Sequence, residues 1–140
     1  MVDGASKANG TSPTGSAQSS WVAFDAMGGD LGPAVSVAGA LEGVRRHGVK
    51  TILVGDEKVL KDELLRQGGE AHLDQMLRVV HAPAIVTMDE KPAEAARKKG
   101  TSMRVAYELC RNHEAQAVVS AGNSGAYMGL ALLIHGRIRG

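Results

Sequence analysis

Apolar residues fall along this chain in two alternating rhythms. Short apolar runs recur at Trp21–Phe24, Thr51–Val54, Arg78–His81 and Ala117–Val119, brief enough to be strands buried inside a sheet. Between them the spacing changes to three and four. Val37, Ala40, Leu41 and Val44 follow Pro33 at helical intervals and end at Gly48, behind Arg45, Arg46 and His47, the pattern of a capped amphipathic helix. Val59, Leu60, Leu64 and Leu65 repeat that pattern until Gly68 and Gly69 stop it. Leu73–Leu77 predicts a short turn, and Pro83 interrupts the third strand. Ile85–Met88 has no decisive period, whereas in Asp89–Lys99 Pro92 stands where a helix can start. Thr101 or Ser102 caps a further helix in which Met103, Ala106, Leu109 and Cys110 share a face, which puts Cys110 in the core. The last helix, from Ala126 to Ile138, is apolar nearly all round and predicts neighbours on more than one side. Its apolar run is short of the ~20 residues that span a bilayer, so core or subunit interface is the assignment.

Strands that alternate with helices predict an α/β fold, a three-layer sandwich with a mainly parallel sheet. Right-handed crossovers then bring two glycine-bearing turns to the carboxyl edge of that sheet. One is DAMGGDLGP, from Asp25 to Pro33; the other is SAGNSGA, from Ser120 to Ala126. Gly28 and Gly29 allow backbone angles that side-chained residues resist. A helix start behind such a turn offers free N–H groups and a positive dipole end, hence an anion site with phosphate as the first candidate. The glycines at 28, 29 and 32 do not make a dinucleotide fingerprint, and no Walker lysine follows them. Ala126 stands where a nucleophile elbow needs glycine, which argues against a serine hydrolase.

Composition narrows the partners. The formal net charge is +1 and aromatic residues make up 3%, too little charge and too few stacking platforms for nucleic acid. One cysteine excludes an internal disulfide and fits a reducing cytoplasm. The five histidines show no metal-ligand spacing, so no metal and no cofactor is expected. Residues 1–20 carry almost no large apolar side chain and read as a disordered tail.

Candidate chemistry follows from the loops. Asp25 and Asp30 flank the glycines and can hold backbone donors, bind a cation or act as a base; with Lys91 they are the catalytic candidates. Gly28, Gly29, Arg104, Asn123, Ser124 and Gly125 are the substrate-binding candidates, with Lys91 or Arg104 supplying charge. Asn123 and Ser124 have a plainer alternative role as helix caps.

Five ordered stretches, DAMGGDLGP at 25–33, ILVGD at 52–56, MDEKPAEAARKK at 88–99, SMRVAYEL at 102–109 and AVVSAGNSGA at 117–126, together resemble the bacterial phosphate acyltransferases of phospholipid synthesis, the PlsX type. The resemblance implies transfer of a fatty acyl group from acyl carrier protein to inorganic phosphate, giving acyl phosphate. It also implies a fold like that of phosphotransacetylase and the isopropylmalate dehydrogenases, a homodimer, and a cytoplasmic enzyme that associates peripherally with membrane. Residues 21–140 would be the N-terminal α/β part of such an enzyme, inactive alone. Leu31 stands where that family often has histidine, Gly100 and Thr101 replace a usual Asp-Ser, and Ser124 replaces threonine; no acid or base work is assigned at position 31. Two other functions fit the same loops: a short-chain phosphate acyltransferase of the phosphotransacetylase type, and a noncatalytic anion-binding or dimerisation module.

Overall fold

A computed structural model describes residues 20–138; the expected tail, apart from Ser20, lies outside the described residues. Four strands, β1 (Trp21–Asp25), β2 (Lys50–Gly55), β3 (Leu77–His81) and β4 (Ala117–Ser120), form one parallel sheet in the order β3-β2-β1-β4. The helices are α1 (Gly32–His47), α2 (Glu57–Arg66), α3 (Pro92–Ala95), α4 (Ser102–Arg111) and α5 (Ser124–Ile134), with a 3-10 turn at Glu70–His72.

Side chains that alternate across the strands build two cores. Phe24, Leu53 and Val79 meet Val37, Leu41, Leu60 and Leu64 of α1 and α2 on one face. Ala23, Ile52, Val54 and Val118 meet Ala106 and Leu109 of α4 on the other. The result is the three-layer α/β sandwich that the alternating pattern predicts. A third cluster joins Met103 and Tyr107 of α4 to Ala95 and Ala96 at α3 and to Ala126 and Leu130 of α5.

At the amino end of the sheet Trp21 is 7% exposed. The Arg78 guanidinium lies 4.1 Å from its ring centroid and the Lys50 ammonium 5.5 Å from it, so two cations face one π system.

The last helix departs from expectation. It ends at Ile134, with His135 as cap and Gly136 at φ 77°, and not at Ile138. Only Ala126 and Leu130 of it are buried, while Met128, Leu132 and Leu133 are 67%, 49% and 58% exposed. The physical reason is one-sided packing. A Cβ on Gly125 would come 2.5 Å from Pro92 Cγ and one on Gly129 3.1 Å from the Ala96 Cβ, so α3 rests on this side of α5. The opposite side has no neighbour among the described residues. Cys110 is half-buried and not core, because Tyr107 completes the buried face of α4 in its place. Asp89–Lys99 contributes a helix only over Pro92–Ala95, and Ile85–Met88 forms neither helix nor strand.

Candidate functional site

The strand order decides where the chemistry can sit. From β1 the chain moves outward one way to β2 and β3, then returns past β1 to place β4 on its other side. The crevice at such a switch point, beyond the carboxyl ends of β1 and β4, is where open α/β sheets take ligands. The loops that leave those two ends are the two glycine-bearing turns.

The ladder pairs Asp25 with Ser120. Ser120 Oγ donates to Asp25 Oδ2 at 2.7 Å, and the Gly122 N–H donates to Ser120 Oγ at 3.0 Å. Asp25 is 1% exposed, and its Oδ1 has no partner among the described residues. Gly28 is buried against this group: a Cβ there would lie 2.6 Å from Asp25 Oδ2 and 3.1 Å from both the Gly122 nitrogen and Ser120 Oγ. Gly29 has φ 92°, the left-handed region that glycine tolerates, and its missing Cβ faces the Ala121 carbonyl oxygen at 3.1 Å. The two loops therefore meet at backbone contact.

A pocket of about 250 Å³ opens beside them, lined by Gly28, Gly29, Asp30, Leu31, Gly32, Val35, Ser36 and Ala121. It sits at the start of α1, where Leu31 is the cap residue and gives no side-chain hydrogen bond, Pro33 follows, and the first turn holds no acidic residue. Backbone donors of a 16-residue helix thus meet no capping side chain there. Leu31 and Val35, four residues apart, form an exposed apolar lip to the pocket.

The other candidates fall elsewhere. Asn123 caps α5 by accepting from the Ala126 N–H at 3.0 Å, while its Nδ2 donates to the carbonyls of Glu90 at 2.8 Å, Thr87 at 3.3 Å and Met88 at 3.5 Å. It ties the 87–90 loop to the end of β4. Ser124 is exposed at the first position of α5, and Gly125 is half-buried against Pro92. Arg104 Nε donates to Glu108 at 3.0 Å and its Nη1 to the Ala96 carbonyl at 3.2 Å. Lys91 is 82% exposed and 3.8 Å from Glu94. Asp30 is exposed at the pocket rim. Neither Arg104 nor Lys91 lines the pocket, whose walls are the start of α1 and the two loops.

Ser120 and the 87–90 loop are the parts that sequence reasoning passed over. Thr87 donates through both its N–H and its hydroxyl to Glu90 Oε1, at 2.9 and 3.2 Å, and Lys98 Nζ donates there at 3.0 Å. The Thr87 backbone N–H first, then Lys98, hold the Glu90 carboxyl below its ordinary value of 4.5. A depressed folded value gives stability that is present above the unfolded value and lost on acidification through the folded one. The Thr87 amide is therefore expected to lose hydrogen-exchange protection as pH falls below 4.5, and a Glu90→Gln chain to show little such change. Equal acid sensitivity in both chains would show that Glu90 does not hold the loop.

A larger, open pocket of about 540 Å³ lies beyond β2 and β3, lined by Asp56, Glu57, Lys58, Lys61, Asp62 and His81. Its charges pair with one another, Lys58 with Asp62 at 3.0 Å and Lys61 with Glu57 at 2.6 Å. That leaves less for a ligand than the switch-point pocket offers.

Comparison with known proteins covers the whole of the sheet and its helices. A profile of the family described as "Fatty acid synthesis protein" matches residues 21–140. A phosphate acyltransferase of Thermus thermophilus is 47% identical over 119 residues, covering 85% of this chain and 34% of that protein. Phosphate acyltransferases of Nitratidesulfovibrio vulgaris and Geotalea daltonii are each 44% identical, over 121 and 120 residues, with the same coverage. The chain spans about a third of the length of these curated relatives. Among the described residues, no helix is long and apolar enough to cross a membrane.

Proposed function

The chain belongs to the fatty acid synthesis protein family, and from that premise we propose that it forms the N-terminal α/β part of a phosphate acyltransferase that moves a fatty acyl group from acyl carrier protein to inorganic phosphate. The observation that carries the reading is the placement of the α1 start, free of any capping side chain, beside Gly28 and Gly29 at the sheet's switch point. Phosphate held there needs no activation by a covalent intermediate, because it is already a competent nucleophile near neutral pH. One of its oxygens attacks the thioester carbonyl, the C–O bond forms, and the C–S bond breaks with the sulfur leaving on the carrier. The protein's task is to hold the two reactants together and to meet the developing oxyanion with fixed donors. Leu31 and Val35 give the apolar end of an acyl chain a surface next to the phosphate. Product acyl phosphate would feed phospholipid synthesis, in a cytoplasmic homodimer that meets the membrane from its surface.

The experiment is to incubate the chain, and a version extended to the length of its relatives, with acyl carrier protein thioesters of several acyl lengths and phosphate. The extended protein is expected to form acyl phosphate and to prefer long chains, and the 140-residue chain to form none. Preference for acetyl would support the short-chain reading in its place, and no acyl phosphate from either form would overturn both. A dimerisation module is favoured by the exposed Met128, Leu132 and Leu133 of α5; it predicts association without turnover at any length.

A further inference from the structure

We propose that Ser120 is a positioning residue of the anion pocket, held by Asp25 so that Ala121 stays in place as the wall opposite α1. The inference rests on the phosphate reading above, and it concerns how the pocket keeps its shape. Ala121 is the residue that the loop after β4 contributes to the pocket lining. Each of its neighbours is pinned by the same hydroxyl: Ser120 Oγ donates to Asp25 Oδ2 at 2.7 Å and accepts from the Gly122 N–H at 3.0 Å. The peptide groups on either side of Ala121 are thereby fixed to the end of β1.

Three further observations make this more than a strand-end contact. Asp25 is 1% exposed, and with Oδ1 unpartnered among the described residues, Ser120 is the donor that anchors the carboxylate. Gly28 leaves the space that the clasp fills, since a Cβ there would lie within 3.1 Å of the Gly122 nitrogen and Ser120 Oγ. Gly28 is itself a lining residue of the pocket, as is Gly29, which lies against the Ala121 carbonyl. Hence one hydroxyl sets the distance between both walls. Without it, the Gly122 N–H and Asp25 Oδ2 lose their partner together, and Ala121 is free to swing from the pocket.

The test titrates inorganic phosphate into the 140-residue chain and follows the backbone amides of Gly28 and Gly29 by two-dimensional NMR, which reads only the folded molecules; thermal unfolding is measured alongside. Ser120→Ala is expected to weaken phosphate binding by about tenfold or more, on the scale by which small misplacement of positioning groups acts. Ser120→Thr, which keeps the hydroxyl, should stay within about threefold of the parent chain, a change worth under 1 kcal/mol. Ser120→Cys, nearly the same size but a weak hydrogen-bonding group, should behave as alanine does and covers the case in which Ser120→Ala does not fold. A merely structural serine would lower the unfolding temperature and leave the affinity of folded molecules unchanged. That result, in Ser120→Ala or Ser120→Cys, overturns the proposal and leaves the phosphate reading standing. A parent chain whose glycine amides ignore phosphate overturns both.

Discussion

A Gly28→Val chain is expected to lose phosphate binding altogether and a large part of its stability. The cause is steric and not conformational. Gly28 is absent from the positions with positive φ, where Gly29 and Gly32 stand at 92° and 71°. What forbids a side chain is the 2.6 Å from its would-be Cβ to Asp25 Oδ2, with the Gly122 nitrogen and Ser120 Oγ at 3.1 Å. Asp25 is buried and held, so it cannot swing aside as an exposed carboxylate would. The added methyls must either break the Asp25–Ser120 bond or push the two loops apart. Overpacking of this kind costs about 1–3 kcal/mol, and a stranded buried hydrogen-bonding group adds about 1–3 more. Together, at about 2–6 kcal/mol, these take a large share of the margin of a small domain, which starts at about 5 kcal/mol. Urea unfolding and phosphate titration read the two consequences separately. Ser124→Ala is the contrast: the residue is exposed and lies outside the pocket lining, so stability should stay within about 0.5 kcal/mol and phosphate affinity should be unchanged. A Gly28→Val chain with unchanged stability and phosphate response would remove this loop from the site.

Asn123→Ala carries the second large effect, because one amide serves two structures at once. Its oxygen caps α5 through the Ala126 N–H, and its nitrogen reaches the Glu90, Thr87 and Met88 carbonyls. Loss of an N-cap costs about 1 kcal/mol. The loop contacts, of which the 2.8 Å bond to Glu90 is the strong one, add about 0.5–1.5 kcal/mol. A total near 2 kcal/mol is expected in the unfolding free energy, together with loss of amide protection from Thr87 to Glu90. Asn123→Ser separates the two roles. It restores an oxygen that can cap but brings no donor to the carbonyls, so stability should recover in part while the loop stays loose. If serine restored both, the loop would be held by Glu90 and Lys98 alone.

Much of this architecture was legible from spacing. Each of the four strands and the α1, α2 and α4 helices follows an apolar period that the sheet and its two cover layers then satisfy. The placement of both glycine-bearing turns at one edge followed from parallel strands and right-handed crossovers. The reason for Gly28 was not legible, since GG suggests backbone freedom at both positions and only Gly29 uses it. Nor was the clasp, because Asp25 and Ser120 are 95 residues apart and become neighbours only once β4 is known to pair with β1. Arg104 looked like a cation awaiting an anion, but Glu108 one turn on and the Ala96 carbonyl take its donors. Period alone over-extended the last helix, as Gly136 and a single-sided neighbour ended both its length and its burial.

Trp21 begins β1 and Asp25 ends it, so at ~3.3 Å per residue their Cα atoms lie roughly 13 Å apart. The chain's single tryptophan is therefore an emission probe at the opposite end of the sheet from the pocket, shielded by packing and stacked against Arg78. Its fluorescence will register whether the sheet is assembled and stay silent as ligand fills the crevice, giving an optical readout of folding uncontaminated by occupancy.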